Sequence, residues 1–419
     1  MPFCQVIVDI NHTDVDHVFT YRVPTGLDVC PGMRVHVPFG PRRLEGVVVE
    51  MAADCDLPPE RVKDICDTLE DYPAVLPPLL ELAKEIQRTS FCTLAVALRL
   101  MFPAQMRGQR IHEKQREVAV LTVAPDVLGQ VIAAQVRAPK RAKVLRALAD
   151  APDMELTTAA LRETVGDCRD ALNALCRMGF VKLEKRESLR RPYGAMERLS
   201  AQDPELTRQQ EDVLAELLPA VETGKGEFLL YGVTGSGKTE VFIRAVRRAT
   251  QMGRTAIVLV PEIALTPQMV SWFRSRFGED AAVLHSRLSP GERYDEWRRI
   301  RRGDVRVVIG ARSAIFAPLQ NVGLIIIDEE HEQSYIADNN PHYDARQLAH
   351  ERCAREGAAL LLASATPSMR SFAMAGRGDL RLLEMPRRVN NRPMPTVHVV
   401  DMREELKKGN RSVFSGALV

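Results

Sequence analysis

The chain has 419 residues, 45% of them hydrophobic and 27% charged, with a formal net charge of +2. That is enough apolar material for two or three packed cores in a multidomain globular protein, and it leaves any nucleic-acid affinity to local patches rather than a global basic field. Eight cysteines, none in a C-x-x-C pair, argue against a disulfide framework and against a zinc site. No basic segment followed by a long apolar run opens the chain, and no stretch approaches the roughly 20 apolar residues of a membrane span. A cytoplasmic protein without a membrane partner is expected.

In chain order, the short β-branched segments 5–9, 18–23, 34–37 and 45–50, punctuated by Pro and Gly, predict a small β-rich domain over residues 1–105, with a helical stretch near 77–88. Segments 140–149, 156–163 and 168–178 carry Leu, Ala and Val at helical spacing, and 180–184 has a strand pattern. Helix, helix, helix, strand is the order of a winged-helix-like domain, placed at 106–190, with a linker at 191–203. Beyond it, near-continuous apolar runs at 228–231, 255–260, 305–309, 324–327 and 360–363 alternate with helical patterns. Such runs suit strands buried on both faces, so residues 204–385 are expected to form an α/β lobe with a mostly parallel sheet. Its functional residues should gather at the strands' C-terminal ends. Residues 386–419 would begin a further, incomplete part. The basic run 298–302 and the lysines and arginines of 182–191 are candidate nucleic-acid patches, or solvated faces, as such runs more often are.

The stretch 232–239, GVTGSGKT, fits G-x-x-x-x-G-K-[ST] between a strand and a helix. Gly232, Gly235 and Gly237, with Thr234 and Ser236 between them, would let backbone N–H groups converge on phosphate oxygens at a helix N-terminus. Lys238 would reach the β- and γ-phosphates and Thr239 would ligate Mg²⁺. A strand at 322–327 runs into DEEH, 328–331, so that Asp328 can hold the Mg²⁺ shell and Glu329 can deprotonate the attacking water. Gln210, one helix before the loop, is a candidate reader of adenine. The loops VPEIALTPQ (260–268), IGARSAIFAP (309–318) and SAT (364–366) follow other strands and would share one crevice, where Arg312 suits contact with a phosphate backbone.

The ordered set GVTGSGKT, VPEIALTPQ, LHS, IGARSAIFAP, DEEH and SAT resembles the first RecA-like lobe of superfamily 2 helicases. With the N-terminal VFTYRVP, PGMRVHVPFG and EGVVV, nearly the whole chain resembles the bacterial replication-restart family of primosomal protein N′. The resemblance implies ATP-driven 3′ to 5′ unwinding of forks and D-loops, ATP and Mg²⁺ as cofactors, and primosome proteins and single-stranded DNA-binding protein as partners. It implies that Phe19, Gly40 and Lys63 bind the nascent 3′ end, with Thr20 where the family usually has Asp. It also implies that 332–349 is an aromatic-rich loop in which Tyr335 and Tyr343 stack on bases and Arg346 pairs with phosphate. Pro341 stands where some members carry Trp. The family continues into a zinc-binding insertion and a second lobe bearing arginine fingers. The chain is therefore expected to be truncated, with no zinc ligands, fork and nucleotide binding retained, and a motor that is not complete. A non-catalytic fork-binding module and another superfamily 2 translocase of repair or restriction are the other readings.

Overall fold

The computed structural model describes residues 2–55, 57–109, 115–188, 190, 203–389 and 398–418; the expected linker at 191–203 lies outside them apart from its last residue. The N-terminal strands β1 (Phe3–Val8), β2 (Phe19–Arg22), β3 (Arg34–Phe39), β4 (Arg42–Ala52) and β5 (Asp67–Thr68) form an antiparallel sheet in the order β2-β1-β4-β3-β5. Alternation turns Val6, Val8, Val35, Val37 and Val48 into one core, all of them buried. At Gly46 the β1 strand comes so close that a Cβ would stand 2.5 Å from Val6 Cγ1. Helices α1 (Pro77–Ser90) and α2 (Leu94–Leu98) follow. Proline opens α1, where a missing N–H costs nothing, and the Thr93 hydroxyl caps α2 by accepting from Val96 N at 3.3 Å.

A second unit runs β6 (Gln115–Leu121), α3 (Pro125–Ala133), α4 (Pro139–Ala149), β7 (Glu155–Thr157), α5 (Thr158–Val165), α6 (Arg169–Arg177) and β8 (Val181–Glu187). Its sheet, β7-β6-β8, is antiparallel, and Val144, Leu145, Leu148, Leu161 and Leu175 fill the space beneath it. Three helices and a closing strand are the expected winged-helix-like elements. β6, α3 and β7 are additional. The first half of β6 is charged and exposed, α3 buries no residue fully and β7 is three residues long, so none carries a strong periodic signal.

The third unit is α7 (Arg208–Thr223), β9 (Glu227–Gly232), α8 (Lys238–Gln251), β10 (Thr255–Leu259), α9 (Pro267–Phe277), β11 (Ala281–Leu284), α10 (Pro290–Arg302), β12 (Val307–Gly310), β13 (Val322–Ile327), α11 (Ala345–Glu356), β14 (Ala359–Ser364), α12 (Met369–Arg377) and β15 (Arg381–Met385). A short helix, α13 (Met402–Lys407), lies near the end of the chain. Seven strands form a wholly parallel sheet in the order β11-β12-β10-β13-β14-β9-β15. Every residue of β12, β13 and β14 is buried, as strands covered on both faces must be. The expected strands are present; β11 and β15 at the two edges are additional, one only four residues long and the other alternating RLLEM with three exposed positions.

These units are packed together. One hydrophobic cluster runs from Leu79, Leu82 and Ile86 of α1 through Met101 and Phe102 to Trp297, Ile325 and Leu348 of the lobe. Polar ties cross the same seam: Trp297 Nε1 donates to Met101 O at 3.4 Å, Arg301 Nε to Pro73 O at 2.7 Å, and Ser90 Oγ to His342 O at 2.6 Å. Most of the basic run on α10 is spent on contacts within the protein, and only Arg302 is exposed. Arg298 is 2% exposed and donates to Glu187 at 2.6 Å; Arg302 reaches the other oxygen of Glu187 at 2.8 Å, and Arg299 pairs with Glu296 at 2.7 Å. Arg190 donates to Asp295 beside them. Arg298 and Arg302 join β8 to α10, while Arg299 pairs within α10 and Arg301 reaches Pro73 O.

Candidate functional site

Because all seven strands are parallel, the loops after β9, β14, β13, β10 and β12 emerge at one edge in that spatial order. The phosphate loop after β9 and the acidic turn after β13 flank the SAT segment after β14. Gly237 holds the N-cap of α8 at φ +87, a left-handed conformation that glycine adopts without strain; a Cβ there would stand 2.3 Å from Gln210 Nε2. Lys238 is 9% exposed. Its Nζ donates to Gly232 O at 2.8 Å and lies 3.9 Å from Glu329 Oε1, so the loop lysine and the acidic turn share one crevice.

Asp328 follows the last buried residue of β13 and its N–H donates to Leu259 O at 2.9 Å, which ties the turn to β10. Desolvation, then the Glu329 charge, push its carboxyl up to about 6, although Lys238 pulls it down. Glu329 sits at φ +45, a backbone state that costs an L residue about 1–3 kcal/mol, and its side chain reaches into the crevice toward Lys238. The donor set suits a nucleotide with Mg²⁺. It offers a glycine loop at a helix N-terminus, a lysine, the Thr239 hydroxyl and the Asp328 carboxylate, and the buried Ser236 Oγ has no hydrogen-bond partner among the described residues. No cluster of three or more His, Cys, Asp or Glu fit to hold a metal occurs among the described residues.

Gln210 is 3% exposed. Its Nε2 donates to Gly237 O at 3.2 Å and its Oε1 accepts from Thr207 N at 2.8 Å, so the amide that is a candidate adenine reader also caps α7 and props the phosphate loop.

The neighbouring loops line a cleft of about 500 Å³ bounded by Glu262, His285, Arg293, Arg312 and, from the segment after α2, Arg99 and Phe102. Arg312 donates to Ser334 O at 3.1 Å and to Ile336 O, so it staples the loop after DEEH to β12. Tyr335 does not stand free to stack on a base: it is fully buried and its hydroxyl donates to Asp328 O at 2.6 Å. Tyr343 is likewise covered, edge-on to Phe316 at 5.1 Å with the Arg312 guanidinium 5.7 Å from its ring. Arg346 grips Asp344 with two nitrogens and donates to Glu330 O at 2.9 Å. Tyr335 and Arg346 are consumed in holding the loop against the acidic turn, and Tyr343 in packing it on Phe316 and Arg312.

In the N-terminal sheet, Phe19 packs edge-on to Phe39 at 5.2 Å and beside His17 at 4.3 Å, with the turn residue Gly40 exposed next to Phe39. Lys63 is exposed, and its carbonyl accepts from Arg22 N at 2.9 Å on the same strand as Phe19. The fold thus brings Phe19 and Gly40 to one sheet end.

Residues 5–103 match the 3′DNA-binding domain (3′BD) of PriA, and residues 207–375 match the DEAD/DEAH box helicase family. The replication restart protein PriA of Bacillus subtilis is 34% identical, with the match covering 100% of this chain and 60% of the relative. The chain resembles PriA along its whole length. The Synechocystis PriA is also 34% identical, over 100% of this chain and 58% of the relative, and that of Haemophilus influenzae 31% identical over 93% and 53%. The chain therefore spans a little over half the length of these curated PriA relatives. Among solved structures, RecG bound to a three-way DNA junction is 28% identical, covering 46% of this chain and 24% of that one, with a TM-score of 0.33.

Within this lobe the structure adds residues that motif reading passed over. Glu330 is fully buried and accepts from Ser368 N at 2.6 Å, Ser368 Oγ at 3.1 Å and Ser371 Oγ at 2.8 Å, which caps α12 with the third letter of DEEH. His331 Nδ1 lies 2.8 Å from Ser364 Oγ, linking DEEH to SAT. The signal was present in sequence as S-x-x-S after SAT, a helix start that wants an acceptor.

Proposed function

We propose that this chain is the DNA-end-binding and ATP-binding portion of a replication-restart helicase. The observation that carries it is the crevice in which Lys238 meets Glu329 beneath a complete phosphate loop, in a chain whose first hundred residues match a 3′DNA-binding domain. Gly232 through Thr239 would cradle ATP, and Thr239 and Asp328 would hold Mg²⁺. The metal supplies charge neutralisation at the transferring phosphoryl group. Lys238 orients the phosphates. Glu329, which reaches into the crevice toward Lys238, takes the proton from the attacking water.

Residues 1–105 would hold the nascent 3′ end at Phe19, Gly40 and Lys63, and the cleft at Arg312 would contact the phosphate backbone. Thr20, a neutral hydroxyl, would bind the terminal hydroxyl more weakly than a carboxylate does. Tyr335, Tyr343 and Arg346 would act through the loop they hold rather than by stacking, coupling DNA at that loop to the acidic turn. Forked and single-stranded DNA, primosome proteins and single-stranded DNA-binding protein are the proposed partners, and the cytoplasm the proposed location.

The test is steady-state ATP hydrolysis by the purified chain, with and without a fork carrying a 3′-hydroxyl end, beside fork binding by fluorescence anisotropy. Lys238→Ala should abolish hydrolysis and leave fork affinity within about twofold, since the fork contacts lie elsewhere. Equal loss of both would sink the division of labour. Fork binding with no hydrolysis by the unaltered chain would favour a non-catalytic fork-binding module.

A further inference from the structure

After β15 the chain turns back across the phosphate loop, and each step of that turn is held. Val233 N donates to Met385 O at 3.1 Å, which seats the end of β15 beside the start of the loop. The side-chain amide of Gln209 then clasps the backbone of Arg387 from both sides: Nε2 donates to Arg387 O at 2.6 Å and Oε1 accepts from Arg387 N at 3.1 Å. Two residues on, Val389 N donates to Gly235 O at 3.0 Å, and Val389 Cγ2 lies 3.0 Å from where a Cβ on Gly237 would stand. Residues 386–389 are therefore a strap, pinned to α7 by a glutamine and to the phosphate loop by its own backbone.

Arg388 is the side chain this strap delivers. Its Cγ and Cδ rest 3.9 and 4.0 Å from the Cβ position of Gly235, at the tip of the loop. Its Nε is shielded from solvent and has no hydrogen-bond partner among the described residues. A guanidinium nitrogen desolvated without an acceptor is costly, and such a group calls for an occupant. The fold tells which part of the nucleotide that is. Lys238 faces Glu329 of the acidic turn, whereas the strap is pinned by Gln209, next in sequence to the candidate adenine reader Gln210 on α7.

We propose that Arg388 contacts the bound nucleotide in the part that ATP and ADP share, the base, ribose and α-phosphate, and that Gln209 is the positioning residue that holds it there. This rests on the ATP site proposed above. A planar guanidinium suits that end because it can lie flat on a purine or donate to a ribose or phosphate oxygen. Arg388 would then set nucleotide affinity with little effect on the chemical step.

Calorimetric titration of the full chain with Mg-ADP and with Mg-ATPγS tests this. Arg388→Ala should weaken both by about tenfold and equally, Arg388→Lys less, and Gln209→Ala in the same direction. Fork binding by anisotropy should stay unchanged in all three, which shows that the fold is intact. Unchanged affinity in Arg388→Ala overturns the inference, and so does a loss confined to ATPγS, which would place Arg388 at the terminal phosphate. An unaltered chain that binds neither nucleotide overturns the ATP site itself, and this inference with it.

Discussion

Asp328 shows how a single side chain trades stability for chemistry. Its carboxyl is raised to about 6 against an ordinary value of 3.8, chiefly by desolvation. Between those values the folded chain binds more protons than the unfolded one, so stability falls as pH rises through that window and levels off above it. Asp328→Asn should therefore stabilise the lobe by about 1–3 kcal/mol at pH 7.5 and by almost nothing at pH 4, while Mg²⁺-dependent hydrolysis disappears. Urea denaturation of both proteins at the two pH values measures this, and an equal effect at both would refute it. Because a bound cation competes with that proton, Mg²⁺ affinity should weaken as pH falls through about 6, and added Mg²⁺ should restore it. Lys238, Asp328 and Glu329 were legible in sequence because glycine spacing and a strand-to-acid junction announce them. Glu330 was not, because nothing local says that the carboxylate after Glu329 turns inward to three donors from residues 368 and 371.

At the scale of elements, strands with a continuous apolar signal were legible and strands at edges were not. β13 and β14 announce themselves as buried runs, whereas β15 shows only alternation and β11 only four residues. The same limit explains the basic run on α10. Arginine spacing says nothing about where acids lie, and Glu187, more than a hundred residues away, decides that Arg298 and Arg302 are paired. The tie between β8 and α10 should be breakable on its own. Glu187→Ala leaves Arg298 buried with one anion fewer and should cost about 1–2 kcal/mol. Limited proteolysis should then cut faster within 137–187; an unchanged digestion pattern would show that the apolar contacts suffice.

At the scale of the molecule, packing crosses the boundaries drawn from composition. α1 and α2 follow the N-terminal sheet in sequence, yet their apolar faces share a cluster with Trp297, Ile325 and Leu348 of the lobe. Burial of this kind is not written in either segment alone, since each shows only an apolar face and not its partner. That shared core joins the N-terminal segment to the lobe that carries the phosphate loop, and a seam of this kind predicts a fixed span between them. Spin labels at Arg42→Cys and Met252→Cys should give superimposable distance distributions with and without Mg-ATPγS; a shift would mean the seam slides. A fixed span has a mechanical meaning. If a nascent 3′ terminus is gripped at one end of this body as proposed, it cannot be drawn closer to the nucleotide at the other, and the grip would serve as an anchor point against which translocated DNA is counted, not as part of the stroke.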